Sequence, residues 1–143
     1  MPGTRLTRHS LRDFGLAAEA AVSLLLARLA LRTVPFRHIA RASGQDGSRA
    51  QVVGPARARA IREVRWAVAA AAGRLPGSTT CLPRALAAQV MLRRRGVITT
   101  LTYGARVRDH RLDAHAWLAD GSEGIAGHEA AADYATLSPE RRV

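Results

Sequence analysis

The chain holds a single cysteine, Cys81, in the stretch TTCLPRALAAQ, where an amphipathic helix should begin. Thr79 and Thr80 are residue types that cap helices, and Pro83 suits a first turn, where its missing N–H leaves no bond unmade. A helix N-terminus carries partial positive charge and unpaired amide donors, so it favours a thiolate and offers N–H groups to a developing oxyanion. Such a thiolate needs a proton carrier, and His115 in LDAHAWLA is the candidate. Alternation along a strand puts Asp113, His115 and Trp117 on one face and Leu112, Ala114, Ala116 and Leu118 on the other. If the His115 face turns towards the start of the cysteine helix, thiol and imidazole meet. Both residue types also occur as plain packing groups, a small buried cysteine and a satisfied strand histidine.

The elements that must position this pair are helical first and extended second. From Asp13 to Thr33, Leu16, Ala20, Leu24 and Ala27 recur at helical spacing together with Leu25 and Leu29, with Asp13 as the N-cap and Pro35 as the stop. Glu19 and Arg28 interrupt its apolar run and no small-residue cleavage site follows, so it reads as a buried helix and neither a membrane span nor a signal peptide. PFRHIARASG predicts a short second helix, and SGQDGSRAQVVGP a loop. A third helix enters at Pro55 and stops before Pro76, with Ile61, Val64, Val68 and Ala72 in step. The cysteine helix runs to Arg95 with Leu82, Ala85, Leu86 and Gln89 on one face, and Gly96 ends it. Beyond Gly96 the period becomes two, through VITTLTYGARV and LDAHAWLA, a hairpin at Asp120 and Gly121, and a short strand near EGIAG. The expected class is α+β, N-terminal helices followed by a small antiparallel sheet. Residues 1–12 form a basic, frayed terminus and 13–143 one domain, of which 13–44 is a helical portion and 55–143 the catalytic core.

Composition narrows the chemistry. A chain of 143 residues with 48% apolar content is long enough for one core. One cysteine excludes an internal disulfide, and His9, His38, His110, His115 and His128 show no paired ligand spacing, so no metal site is expected. No phosphate-cradling glycine loop is present, and no cofactor is expected. The net charge is +11 and every basic residue is arginine, which produces a field that attracts acidic partners. Arg57, Arg59, Arg62 and Arg65 on one helix and Arg93 to Arg95 on another are solvated faces or a docking surface for an acidic peptide or its carrier. No nucleic-acid reading motif accompanies them, so nucleic acid is not an expected partner. The charge nevertheless leaves open a basic nucleic-acid-binding module with Cys81 merely buried.

STTCLPRALAAQVMLRRRGV followed by DAHAWLADG resembles the transglutaminase-like cysteine protease domain of the lasso-peptide maturation proteins, which remove the leader from a lasso-peptide precursor. ARLALRTVPF, VRWAVAAAAGRLP and DYATLSP extend the resemblance over most of the chain. It implies a transglutaminase-like, papain-like fold, with Cys81 as nucleophile and His115 as general base and acid. The family's third member is an acidic residue beyond the hairpin, which falls near Gly127, His128 or Glu129; Glu129 is the choice here and Asp120 the runner-up. Ala119 stands where the family usually has an acid, and Glu123 and Asp133 are read as solvated charges. A free thiol suits a reducing cytoplasm. The chain is similar to the stand-alone protease half, which implies work on a precursor peptide with a separate leader-recognition protein, and a lasso cyclase as the enzyme that would use the product. A degenerate member that only presents peptide is the other reading within this fold.

Overall fold

The computed structural model describes residues 10–44, 51–77, 80–120 and 123–137. Helix α1, Leu11–Thr33, starts at Ser10, whose hydroxyl accepts from the Asp13 amide at 3.3 Å while the Asp13 carboxylate accepts from the Ser10 amide at 2.8 Å. This reciprocal capping box puts the N-cap at Ser10, three residues before the cap expected at Asp13, which is instead the third helical residue. Val34 is its C-cap, just before Pro35. Leu16, Ala20 and Leu24 are buried, but Leu25 and Leu29 lie with Leu11, Phe14, Val22 and Leu26 on the exposed side. The helix is therefore buried on one face only. By length and composition it is apolar enough to cross a membrane, with only 22% of its most apolar window buried.

Helix α2, Phe36–Gly44, is followed by α3, Gly54–Arg74, which carries Pro55 in its first turn and buries Ile61, Val64, Ala67, Val68, Ala71 and Ala72. Helix α4, Cys81–Arg94, buries Ala85 to Gln89, Met91 and Leu92. Alanines at the contacts between α1, α3 and α4, Ala20, Ala67 and Ala88 among them, let these helices approach closely. Gly96 takes the left-handed conformation (φ 74°), donating to Arg93 O at 3.1 Å while Val97 donates to Leu92 O at 3.0 Å. These two bonds form a Schellman stop that glycine accommodates without steric cost.

Arginines from the basic runs tie these elements together. Arg95 donates to both Glu19 carboxylate oxygens, at 3.0 and 2.6 Å, which fastens α4 to α1. Arg57 of α3 pairs with Asp120 and donates to the Ile98 carbonyl at 3.2 Å. These arginines are internal ties, so neither run is a solvated face throughout.

The sheet has the order β3-β2-β1-β4, all neighbours antiparallel, from β1, Thr100–Arg108; β2, Arg111–Asp120; β3, Glu123–Ala126; and β4, Ala135–Thr136. Asp109 and His110 join β1 to β2 with φ of 51° and 61°. Two positive φ values in a two-residue connection are the twist-matched hairpin geometry. Asp120 pairs with Glu123 across the next connection, whose Gly121 lies outside the described residues. A 3-10 helix, His128–Asp133, then leads to β4. Leu101 and Leu118 face each other in the β1–β2 register; Leu118 joins Ile125 in the helical core and Leu101 packs against it. The architecture is α+β, as the sequence predicts.

Candidate active site

Cys81 is the first residue of α4, with Thr80 in extended conformation as N-cap. The Thr80 side chain makes no capping hydrogen bond, so it does not occupy the Leu82 amide, and Pro83 has no N–H to cap. The thiol is partly exposed. It opens into a cavity of about 390 Å³ that Arg84 of α4, Arg65 of α3, His115 of β2 and Gly127 after β3 also line. The sheet thus brings His115 to the start of the cysteine helix. A larger groove of about 520 Å³ between α1, α2 and α4 is lined by side chains such as Val22, Leu26 and Val90, with no cysteine or histidine. Of the two, the smaller cavity holds a thiol and an imidazole together.

His115 is fixed on several sides. Its Nε2 lies 2.6 Å from the Gly127 carbonyl oxygen. A carbonyl only accepts, so Nε2 carries the proton of the neutral ring and Nδ1 is left as the basic nitrogen. Gly127 reaches this position with φ of 70°, and a Cβ there would stand 2.8 Å from the Ala116 oxygen and 3.4 Å from His115 Nε2. Only glycine fits without displacing the backbone or the imidazole. Trp117 and Tyr134 stack against the imidazole, with ring centroids 6.0 and 4.9 Å away.

Behind the imidazole is a polar cluster on the same face of β2. The Tyr134 hydroxyl donates to Asp113 Oδ2 at 2.9 Å, Arg106 Nε donates to the same oxygen at 3.0 Å, and the Arg106 guanidinium lies 4.4 Å from the centre of the Tyr134 ring. The bond from Tyr134, then that from Arg106, holds the Asp113 carboxyl below the usual aspartate range. The same bond pushes the Tyr134 phenol up, and burial adds to that shift.

The residues singled out in the sequence are distributed as follows. Cys81 and His115 share the cavity. Asp120 is held by Arg57 and pairs with Glu123, five positions along β2 from His115. Glu129 lies in the 3-10 helix directly after Gly127, and its side chain falls outside the described residues, as does that of His128. Trp117 is buried and stacked on His115, whereas Trp66 is 38% exposed on α3. Tyr134, Arg106 and the Gly127 carbonyl were missed. The available signals were Gly104 inside a strand and Gly127 before the final helix. A Cβ on Gly104 would come within 2.7 Å of the Trp117 ring and 2.8 Å of Tyr134 Cβ, so this glycine marks a close approach. Among the described residues no group of three metal-ligating side chains occurs.

Residues 21–139, most of the chain, match the family model of the transglutaminase-like superfamily. No curated protein and no solved structure matches the chain.

Proposed function

This chain belongs to the transglutaminase-like superfamily, and on that premise we propose that it is a cysteine endopeptidase that removes the leader from a ribosomally made lasso-peptide precursor. The observation that carries the reading is the shared cavity of Cys81 and His115 at the N-terminus of α4. Cys81 Sγ gives its proton to His115 Nδ1 and attacks the scissile carbonyl carbon; the resulting oxyanion accepts from the amides of the first turn, Cys81 N–H among them. The imidazolium passes its proton to the departing amine as the C–N bond breaks, leaving a thioester on Cys81. A water then loses a proton to Nδ1 and attacks the thioester, which releases the leader carboxylate and restores the thiol. The Gly127 carbonyl keeps the imidazole in the tautomer that this cycle needs. Arg65 and Arg84 at the cavity supply positive charge for an acidic stretch of leader.

In this reading the enzyme works in the cytoplasm, takes its precursor from a separate leader-recognition protein, and delivers a free core amine to a lasso cyclase. One observation favours the alternative of a non-catalytic, peptide-presenting member: the ring nitrogen of His115 is held by a neutral carbonyl, which adds no formal charge beside the imidazolium formed in turnover. The two readings part in one experiment. Purified protein is mixed with a precursor peptide and its recognition protein, and the products are weighed by mass spectrometry. Leader and core masses that appear with the wild type and not with Cys81→Ala establish the protease; binding of the leader without cleavage establishes the presenter.

A further inference from the structure

Three side chains behind His115 have no part in the proton transfers described above, yet one of them, Tyr134, stacks on its ring and the other two, Asp113 and Arg106, hold that one. Tyr134 approaches from the segment between the 3-10 helix and β4, and its ring lies at 23° to the imidazole with centroids 4.9 Å apart. An aromatic ring at this distance and tilt restrains rotation of its neighbour about χ2, which is otherwise broad for histidine. Tyr134 is itself restrained: its hydroxyl is tied to Asp113, two residues before His115 on β2, and Arg106 holds both the Asp113 carboxylate and the Tyr134 ring. Arg106 and Asp113 are direct partners in the β1–β2 register, and Gly104 is the partner of His115. Gly104 has no side chain at the place where Tyr134 Cβ and the Trp117 ring come close. The strand sequence therefore provides a floor, a clamp and an opening for one aromatic ring.

We infer that Tyr134 is a positioning residue for His115: anchored by Asp113 and Arg106, its ring holds the imidazole plane so that Nε2 stays on the Gly127 carbonyl and Nδ1 stays available to Cys81. The inference rests on the proposed pairing of Cys81 with His115. Tyr134 exchanges no proton with substrate. Its effect is confined to the orientation and tautomer of the imidazole. Two bonds to the ring system separate its contributions, the stack from the ring and the anchor from the hydroxyl. Tyr134→Phe removes only the anchor, and Tyr134→Leu removes the ring while still filling space.

The test uses the full-length protein and iodoacetamide as the probe of Cys81, with ¹⁵N spectra of the histidine rings as the readout that a purely structural role does not move. In the wild type, His115 gives the signature of a single tautomer with the proton on Nε2. Tyr134→Leu is expected to show mixed tautomers and at least a tenfold slower alkylation, while Tyr134→Phe keeps the tautomer and slows alkylation by a few-fold. Asp113→Ala removes the same hydrogen bond and releases Arg106 as well, so it should slow alkylation at least as much as Tyr134→Phe, and adding Tyr134→Phe to it should slow alkylation no further. A single Nε2 tautomer and a wild-type alkylation rate in Tyr134→Leu overturn the positioning role, as does full additivity of Asp113→Ala and Tyr134→Phe. His115→Ala separates the two claims. If it leaves alkylation unchanged, the pairing itself fails; if it slows alkylation and Tyr134→Leu does not, only the role of Tyr134 fails.

Discussion

His115 Nε2 and the Gly127 carbonyl oxygen, 2.6 Å apart, form the hydrogen bond that sets which nitrogen of the imidazole is basic. The acceptor is a main-chain oxygen, and a left-handed glycine delivers it. The orientation of the ring is thus built into the backbone after β3.

Gly127→Ala should therefore affect both fold and site. The left-handed backbone alone disfavours alanine by about 1–2 kcal/mol, and the added methyl meets the Ala116 oxygen at 2.8 Å. Thermal unfolding should fall by several degrees, and alkylation of Cys81 should slow. An unchanged midpoint with an unchanged alkylation rate would show that the carbonyl is not where it is needed.

The two carboxylates considered for the third position should separate in the same assays. With Nε2 occupied by Gly127, Glu129→Gln is expected to keep the Cys81 alkylation rate within about twofold, an amount well under 1 kcal/mol. Asp120→Ala should leave the alkylation rate alone and lower stability by roughly 1.5–3 kcal/mol, because it strips a partly buried arginine of its charged partner. Denaturant unfolding measures the second effect. A tenfold loss of alkylation in Glu129→Gln would return the third role to that side chain.

Glu19 provides a pH-dependent contribution. Its hydrogen bond to Arg95 lowers its folded-state pKa below the usual glutamate value of about 4.3. A depressed carboxyl stabilises the fold when ionised, so the contribution is complete above roughly pH 5 and is lost as pH falls through the lowered folded value. The stability difference between wild type and Glu19→Gln should be largest near neutrality and shrink towards pH 3. A difference that stays constant over that range would mean the ion pair contributes nothing.

How α1 divides its apolar residues shows where a sequence stops being readable. Spacing identified Leu16, Ala20 and Leu24 as an inward set, but Leu25 and Leu29 were grouped with them because leucines lie on more than one side of the helix and periodicity cannot choose a face. Likewise Thr80, Cys81 and Pro83 announced a helix start, and alternation put Asp113, His115 and Trp117 together, since both follow from local geometry. The Gly127 carbonyl was hidden for a different reason: it is a backbone atom, and no side chain encodes it. Tyr134 was hidden because its meeting with His115 depends on β4 pairing beside β1, a long-range contact through a two-residue strand. Arg57 and Arg95 read as surface charge because their partners, Asp120 and Glu19, are 63 and 76 positions away.

The division of α1 has a direct mutational consequence. Leu24→Ala empties a fully buried site and should lower stability by about 2–5 kcal/mol. Leu29→Ser, on a side chain 56% exposed, should change it by no more than about 0.5 kcal/mol. Comparable losses in the two variants would mean that the outer stripe is covered in solution.

The claim that Cys81 and His115 act as one unit is tested most directly by the rate of Cys81 carboxymethylation. The chain has one cysteine, so each mass increment reports that thiol alone. Iodoacetamide is added to native protein near pH 7, and the rate constant is followed by intact mass for wild type, His115→Ala and the wild type in denaturant. The account predicts that the native wild type reacts faster than the denatured chain and at least tenfold faster than native His115→Ala. Equal rates for wild type and His115→Ala, or no labelling before unfolding, would contradict it.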